Sequence, residues 1–340
     1  MAKSVRLKDI AEKLGVSTVT VSKALSGQKG MSEEVRKKIH ALANEMGYIP
    51  SVSRKLENMG KSYTIGVIIS EAYMGEYDAY YNRLHQQISQ LAMEKGSFTM
   101  LEVISGDSIK RLTLPRIISD NKVDGALILG RLPGKYLENI RASSSIPVIY
   151  LDFYDHYISE DAVTCDSYSG ACLMTEYLIG KGHSRIGFVG TVLATDSITD
   201  RYFGYRKALL LNNIDFRQDW VIDDRDPDIN VPDPDKFFNL PEEMPTAFIC
   251  SSDIAAGMLI KKLSESGYSV PDDVSVVGYG NCSRSDISDK KVTTYAVDSY
   301  ELGRSAVENL IRKIGRERYH HGVMTLAGNL IEGETVRNIM

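Results

Sequence analysis

From Tyr63 onward, short apolar runs alternate with amphipathic stretches, and this alternation restricts the fold more than any other feature of the chain. Strands are expected at 65–69, 98–103, 125–129, 148–151, 163–165, 186–189, 220–222, 247–250 and 274–277. Helical patterns fall between them, as at 80–95, 170–181, 201–211 and 254–266. Strand–helix alternation predicts parallel sheets with crossover helices. Nine strands exceed a typical sheet of ~4–6, so two sheets are expected.

The first 50 residues follow a different rule and read as three short helices. Leu7, Ile10, Ala11 and Leu14 fall on one apolar face. Gly15 follows where a helix end favours a left-handed residue. Ser17 is placed to cap a second helix from Thr18 to about Leu25. In that helix Val21, Ala24 and Leu25 face inward, while Thr18, Val19, Ser22 and Lys23 stay outside. Ser32 caps a third helix whose buried stripe is Val35, Ile39, Leu42 and Met46. Two helices joined by a tight turn, with a third behind, form a helix-turn-helix arrangement. The small outer side chains of the second helix suit close approach to a major groove.

Charge supports the division. Residues 1–60 carry 11 Lys+Arg and 6 Asp+Glu, a balance of +5 within a chain of net charge −5. The remaining 280 residues therefore carry −10. A basic head on an acidic body suggests a polyanion-binding module joined to something else. With 43% hydrophobic and 25% charged residues, the 340-residue chain has the composition of a folded soluble protein. Its polar N-terminus shows no signal-peptide core, and no apolar run reaches the roughly 18 residues of a membrane span. The four cysteines lack CxxC spacing, so reduced thiols and a cytoplasmic location are expected. Phosphate-loop, GxSxG and HExxH signatures are missing, so neither catalytic residues, metal ligands nor a cofactor are expected. His183, before a strand, is read as structural.

The uninterrupted run 7–27, with Ser32-Glu-Glu-Val-Arg36 and Met46-Gly-Tyr-Ile-Pro50, resembles the head of the lactose-repressor (LacI/GalR) family of bacterial transcription factors. The resemblance puts Thr18 and Val19 where that family reads base edges, and Lys23 at its usual Arg position. It puts Ser17, Thr20 and Ser22 where hydroxyls approach phosphates or bases. Residues 51–61 resemble the family's hinge helix and linker, with Ser53, Arg54 and Leu56 on its Ala-Arg-x-Leu core. In relatives that Leu wedges into the minor groove and kinks the operator.

The body resembles a periplasmic-binding-protein-like effector domain of two doubly wound α/β subdomains. The matching phrases are Val123-Asp-Gly-Ala-Leu-Ile-Leu129, Ile146-Pro-Val-Ile-Tyr-Leu-Asp152, Lys181-Gly-His-Ser-Arg-Ile-Gly-Phe-Val-Gly190, Asp200-Arg-Tyr-Phe-Gly-Tyr-Arg-Lys-Ala-Leu209 and Val270-Pro-Asp-Asp-Val-Ser-Val-Val-Gly-Tyr279. The resemblance implies a head at 1–50 and an effector and dimerisation domain at 62–340. It further implies one subdomain at about 62–161 and 292–322, and another at 162–291 and 323–340. The chain would cross between them near 160–163, 290–296 and 320–324. A ligand would sit between the lobes at the strand ends.

Arg201 opens the Arg-x-x-Gly-Tyr phrase where the family's effector-binding Arg stands. Asp253 matches an Asn-Asp pair, with Ser252 in the Asn place. Tyr80 and Tyr81 stand near the family's aromatic, and Asp152, Asp166 and Asn281 complete the candidate set. Asp253 and Asp166 could equally cap the helices that follow them. Where sugar-binding relatives carry Asp-Asp, this chain has Gly280 and Asn281, which weakens the usual sugar assignment.

The resemblance thus implies a dimeric repressor on a pseudo-palindromic double-stranded operator, controlled by a carbohydrate or derivative. A solute-binding protein of a transport system and a sugar-metabolising enzyme are the alternatives. The basic head speaks against the first, and the missing catalytic signatures against the second.

Overall fold

The computed structural model describes residues 7–25, 33–46, 62–74, 79–155, 157, 160–226, 233–281 and 290–340. The chain divides into two compact units, 1–62 and 63–340. Arg54 and Leu56 of the expected hinge lie outside the described residues.

The first unit holds helices α1 (Leu7–Leu14), α2 (Thr18–Leu25) and α3 (Glu33–Glu45). Gly15 takes φ +64, the left-handed conformation that ends α1 without steric cost. The Thr20 amide donates to Ser17 Oγ at 3.0 Å, so Ser17 is the predicted cap of α2. Ile10, Ala11, Val21, Ala24, Ile39 and Ala43 form the core, with Leu14, Val16, Val35, Leu42 and Met46 packed against it.

The second unit contains two six-stranded sheets. Its strands are β1 (Thr64–Ser70), β2 (Phe98–Ile104), β3 (Gly125–Leu129), β4 (Val148–Leu151), β5 (Asp161–Cys165), β6 (Ile186–Val189), β7 (Val221–Ile222), β8 (Ala247–Cys250), β9 (Ser275–Tyr279), β10 (Thr293–Ala296), β11 (Val323–Leu326) and β12 (Asn329–Ile331). The first sheet runs β11-β5-β4-β3-β1-β2 and is parallel throughout. The second runs β12-β10-β9-β8-β6-β7, with only β12 antiparallel.

Both faces of the inner strands of each sheet are covered, which explains their near-continuous apolar runs. In the first lobe, Ile65, Val67 and Ile69 pack with Leu84, Ile88 and Leu91 of helix Ala79–Glu94. Ile68 points the other way, toward Tyr136, Leu137 and Ile140 of helix Gly134–Ser143. In the second lobe, helices Ser167–Gly180 and Asp196–Leu211 cross so closely at Gly204 that an added Cβ would stand 2.1 Å from the Tyr168 carbonyl. Only glycine fits that crossing.

The chain crosses between sheets after β5, between β10 and helix Ser299–Gly315, and between β11 and β12. These points, at 166, 297–298 and 327–328, lie C-terminal to the expected ones. Each crossing strand completes its pairing in the sheet it is leaving: β5 with β4, β10 with β9, and β11 with β5. Trp220, expected in a strand, ends a 3-10 turn, and its indole donates to the Glu243 carbonyl at 2.8 Å. His183 is buried between the Thr246 hydroxyl (3.0 Å) and the Arg337 carbonyl (3.2 Å), a bridging structural role. Among the described residues, no helix is long and apolar enough to cross a membrane.

Candidate functional site

The outer face of α2 presents Thr18, Val19, Ser22 and Lys23 to solvent. Val19, an apolar side chain, is 60% exposed. Ser17 and Thr20 are placed differently from those four. Their hydroxyls lie 2.8 Å apart and belong to the helix cap, which stiffens the start of α2.

In the second unit a cavity of about 430 Å³ lies between the two sheets, at the carboxyl ends of their strands. That is where open α/β sheets bind ligands. Five of the expected residues line it: Tyr80, Tyr81, Asp152, Arg201 and Asp253.

The first lobe contributes an aromatic wall. Tyr80 and Tyr81 sit in the first turn of helix Ala79–Glu94, and their rings meet edge-on at 5.1 Å. Tyr73 packs against Tyr81 at 4.8 Å and lies across Gly130, where a Cβ would come within 2.9 Å of its ring. Asp152 follows β4 with φ +68, an uncommon conformation for a residue with a side chain. It accepts hydrogen bonds from Tyr81 (3.0 Å) and Tyr80 (3.3 Å). Burial pushes the Asp152 carboxyl up from its ordinary range, against the pull of Arg201 and the two phenols. The Tyr81 phenol is raised as well, by burial first and then by Asp152.

The second lobe contributes two cations, Arg201 and Arg225, and the first lobe one, Arg131. Arg201 projects from helix Asp196–Leu211 with its Cζ 3.8 Å from the centre of the Tyr279 ring. One terminal nitrogen donates to the Ser251 carbonyl at 2.6 Å, and the other lies 4.0 Å from Cys165 Sγ. Behind it, Asp224 is fully buried and takes the fork of Arg225, Nε at 2.9 Å and Nη2 at 2.6 Å. It also accepts the Thr191 amide (2.9 Å) and the Ser251 hydroxyl (3.3 Å). Burial opposes the Asp224 charge, but these donors hold its pKa below the ordinary carboxylate range. Its stabilising effect is therefore present above the unfolded value of about 3.9 and is lost as pH falls through its lower folded value. Asp224→Asn is expected to lower the unfolding free energy by about 3–5 kcal/mol. Urea denaturation near neutral pH measures this, and a change below about 1 kcal/mol would deny the pair that role.

Asp253 opens helix Asp253–Glu265, but Ser252 is the cap, accepting the Ala255 amide at 3.1 Å. Asp253 instead takes the Thr294 hydroxyl at 2.6 Å. Two expected residues fall outside the cavity lining. Asp166 caps helix Ser167–Gly180 by accepting the Ser169 amide at 2.9 Å, and borders a separate hollow with Tyr168 and His321. Asn281, at φ +55, donates its backbone amide to the Thr294 hydroxyl at 3.4 Å, and Gly280 stands at the cavity wall instead.

Sequence reasoning missed Tyr279, Arg131, Asp196 and Arg225, which also line the cavity. Arg131 meets Asp196 across the cleft at 3.2 Å, and Tyr154 donates to Asp200 at 2.9 Å. Asp196 and Asp200 lie one turn apart on the helix that carries Arg201, so both ties hold that helix to the first lobe.

A helix-turn-helix head and a two-lobed body with a cleft at its strand ends define a DNA-binding regulator that senses a small molecule. Residues 6–51 match the family described as bacterial regulatory proteins, lacI family, and residues 175–336 match the periplasmic binding protein-like domain. The chain belongs to the lacI family of bacterial regulatory proteins. It is similar to the HTH-type transcriptional repressor PurR of Vibrio campbellii, 25% identical over 335 residues, covering 98% of this chain and 99% of that one. The protein of the same name from Vibrio atlanticus is 26% identical over the same length, covering 98% of this chain and 99% of that one. Among solved structures, the lac repressor dimer bound to operator and an anti-inducer superposes with a TM-score of 0.66 at 22% identity, covering 98% of this chain and 100% of that one. A complex of the transcriptional regulator CelR with cellobiose gives 0.64 at 22% identity, covering 97% and 99%. These two structures bear on the fold.

Proposed function

We propose that this regulator is a homodimeric repressor acting in the cytoplasm, whose affinity for a pseudo-palindromic operator is set by a carbohydrate or carbohydrate derivative bound in the cleft. The observation that carries the ligand reading is the lining of that cleft. An aromatic wall of tyrosines faces a buried guanidinium on the opposite lobe, with carboxylates and hydroxyls between. Such a lining can stack on a sugar face and hydrogen-bond its hydroxyls. The cellobiose complex of a structural neighbour is in keeping with this reading.

The dimer reading rests on β2, an edge strand of the first sheet. It exposes Phe98, Met100, Leu101 and Val103 to 37–61% of their surface. A large apolar edge of this kind is a liability unless a partner covers it. A neighbour solved as an operator-bound dimer agrees with this reading. Two heads would then meet two half-sites, with Thr18, Val19 and Lys23 nearest the bases, Ser17, Thr20 and Ser22 near phosphates or bases, and Arg54 and Leu56 at the operator centre. Closing the cleft on a ligand changes the spacing of the two hinge segments and so shifts the DNA-competent population.

Selection of the purified protein on random duplexes tests the operator reading. An enriched inverted repeat, bound with affinity that falls steeply as salt rises, is the expected result. Enrichment of a single unrepeated site would remove the dimeric reading, and no enrichment at all would remove the operator.

A further inference from the structure

Arg201 is a buried cation whose direct contacts among the described residues are all neutral; Asp152 attracts it but makes no ion pair with it. Among the described residues its nitrogens meet the Ser251 carbonyl and the Cys165 thiol, its flat face lies on Tyr279, and its Nε is buried with no partner. Taking a guanidinium out of water is unfavourable unless an anion accompanies it. The other two arginines of the cavity wall each have one: Arg225 has Asp224 in a two-point fork, and Arg131 has Asp196 at 3.2 Å. Arg201 makes no ion pair with any described residue.

The acids of the cleft are engaged elsewhere. Asp196 is held by Arg131, Asp253 takes the Thr294 hydroxyl, Glu71 takes the Gly106 amide, and Asp152, though it feels the Arg201 charge, takes two tyrosine hydroxyls on the far lobe. At the end of β9, beside Tyr279, the cavity wall is Gly280 and carries no carboxylate. The guanidinium is also held in place by the Ser251 carbonyl and the Tyr279 ring, so little freedom is lost when it accepts a ligand.

We propose that the ligand of this cleft is a carbohydrate bearing an anionic group, a carboxylate or a phosphate, and that this group supplies the direct ion pair that Arg201 lacks among the described residues. The inference rests on the reading of the cleft as the effector site and narrows its ligand class. The tyrosine wall and Asp152 then serve the uncharged part of the sugar, while Arg201 discriminates on charge. A charge-assisted hydrogen bond contributes more than a neutral one. A neutral sugar offers Arg201 only uncharged hydroxyls and forgoes that gain.

The test uses the full chain, calorimetric titration and thermal denaturation. The probes are glucose, galactose and mannose, their uronates and 6-phosphates, and inorganic phosphate. At least one uronate or sugar phosphate should bind roughly 10- to 100-fold more tightly than its neutral parent. Whether the uronate or the phosphate series does so separates the two anion sources. Arg201→Gln should erase that preference, and Arg201→Lys, which keeps the charge without the fork, should retain part of it. Should Arg201→Gln fail to fold, the Lys variant and the wild-type ligand ranking still decide.

A neutral hexose that binds as tightly as its charged counterparts, and is weakened equally by Arg201→Gln, would overturn the anionic class and leave the cleft as the site. A sugar whose binding neither variant alters would take the cleft reading down as well. Absence of saturable binding by every anion in the set, inorganic phosphate included, would also overturn the proposal.

Discussion

Thr18→Gln combined with Val19→Ala is expected to change which bases the head prefers while leaving non-specific DNA binding nearly intact. Both side chains are exposed on α2, so their replacement removes no core contact. A well-made base contact discriminates by about 1–3 kcal/mol, so preference at the affected positions should shift roughly 10- to 100-fold. Phosphate contacts position the head and carry no sequence information, so the salt dependence should persist. Parallel selections with wild type and variant measure this. The same consensus from both proteins would show that α2 does not read bases through these residues.

The second large effect is expected at Arg201. Arg201→Gln removes the only cavity-lining arginine that makes no ion pair with a described residue, together with its stacking on Tyr279. Losing a charged, hydrogen-bonded contact of this type costs roughly 1.5–3 kcal/mol, so the effector concentration for half response should rise about 10- to 100-fold. Operator affinity without effector should stay near the wild-type value, because the head is a separate compact unit. A variant that also loses operator binding without ligand would place Arg201 in the integrity of the body instead.

Local features were legible in the sequence, and tertiary ones much less so. The bounds of α2 follow from Gly15 and Ser17, whose effects reach only a few residues along the chain. The inner strands were visible because both of their faces are covered, so nearly every position is apolar. The sheet crossings were harder to place. β10, β11 and β12 are three or four residues long, and β11 is partly exposed, so their sheet membership depends on pairing with distant strands.

The cleft divides in the same way. Arg201 could be found through its local phrase. Arg131 and Asp196 pair only when the lobes face each other, and Tyr279 meets Arg201 only once β9 packs beside the helix that carries it, for which no spacing in the chain provides a signal. Asp166 shows the reverse problem. An acid after a strand and before a helix looks alike whether it caps or binds, and here it caps. At 280–281, Gly280 at φ +116 and Asn281 at φ +55 turn the chain so that the glycine, and not the amide side chain, borders the cavity.

If the cleft is the effector site, its occupancy beside Arg201 controls the DNA-binding head. Operator affinity should be titrated with and without the sugar that most stabilises the wild-type protein, for both wild type and Arg201→Gln. The wild-type operator affinity should change at least about tenfold with the sugar, in line with ordinary allosteric coupling of about 1–3 kcal/mol. The variant's operator affinity should not change at the same sugar concentration. An equal response from both proteins would contradict it.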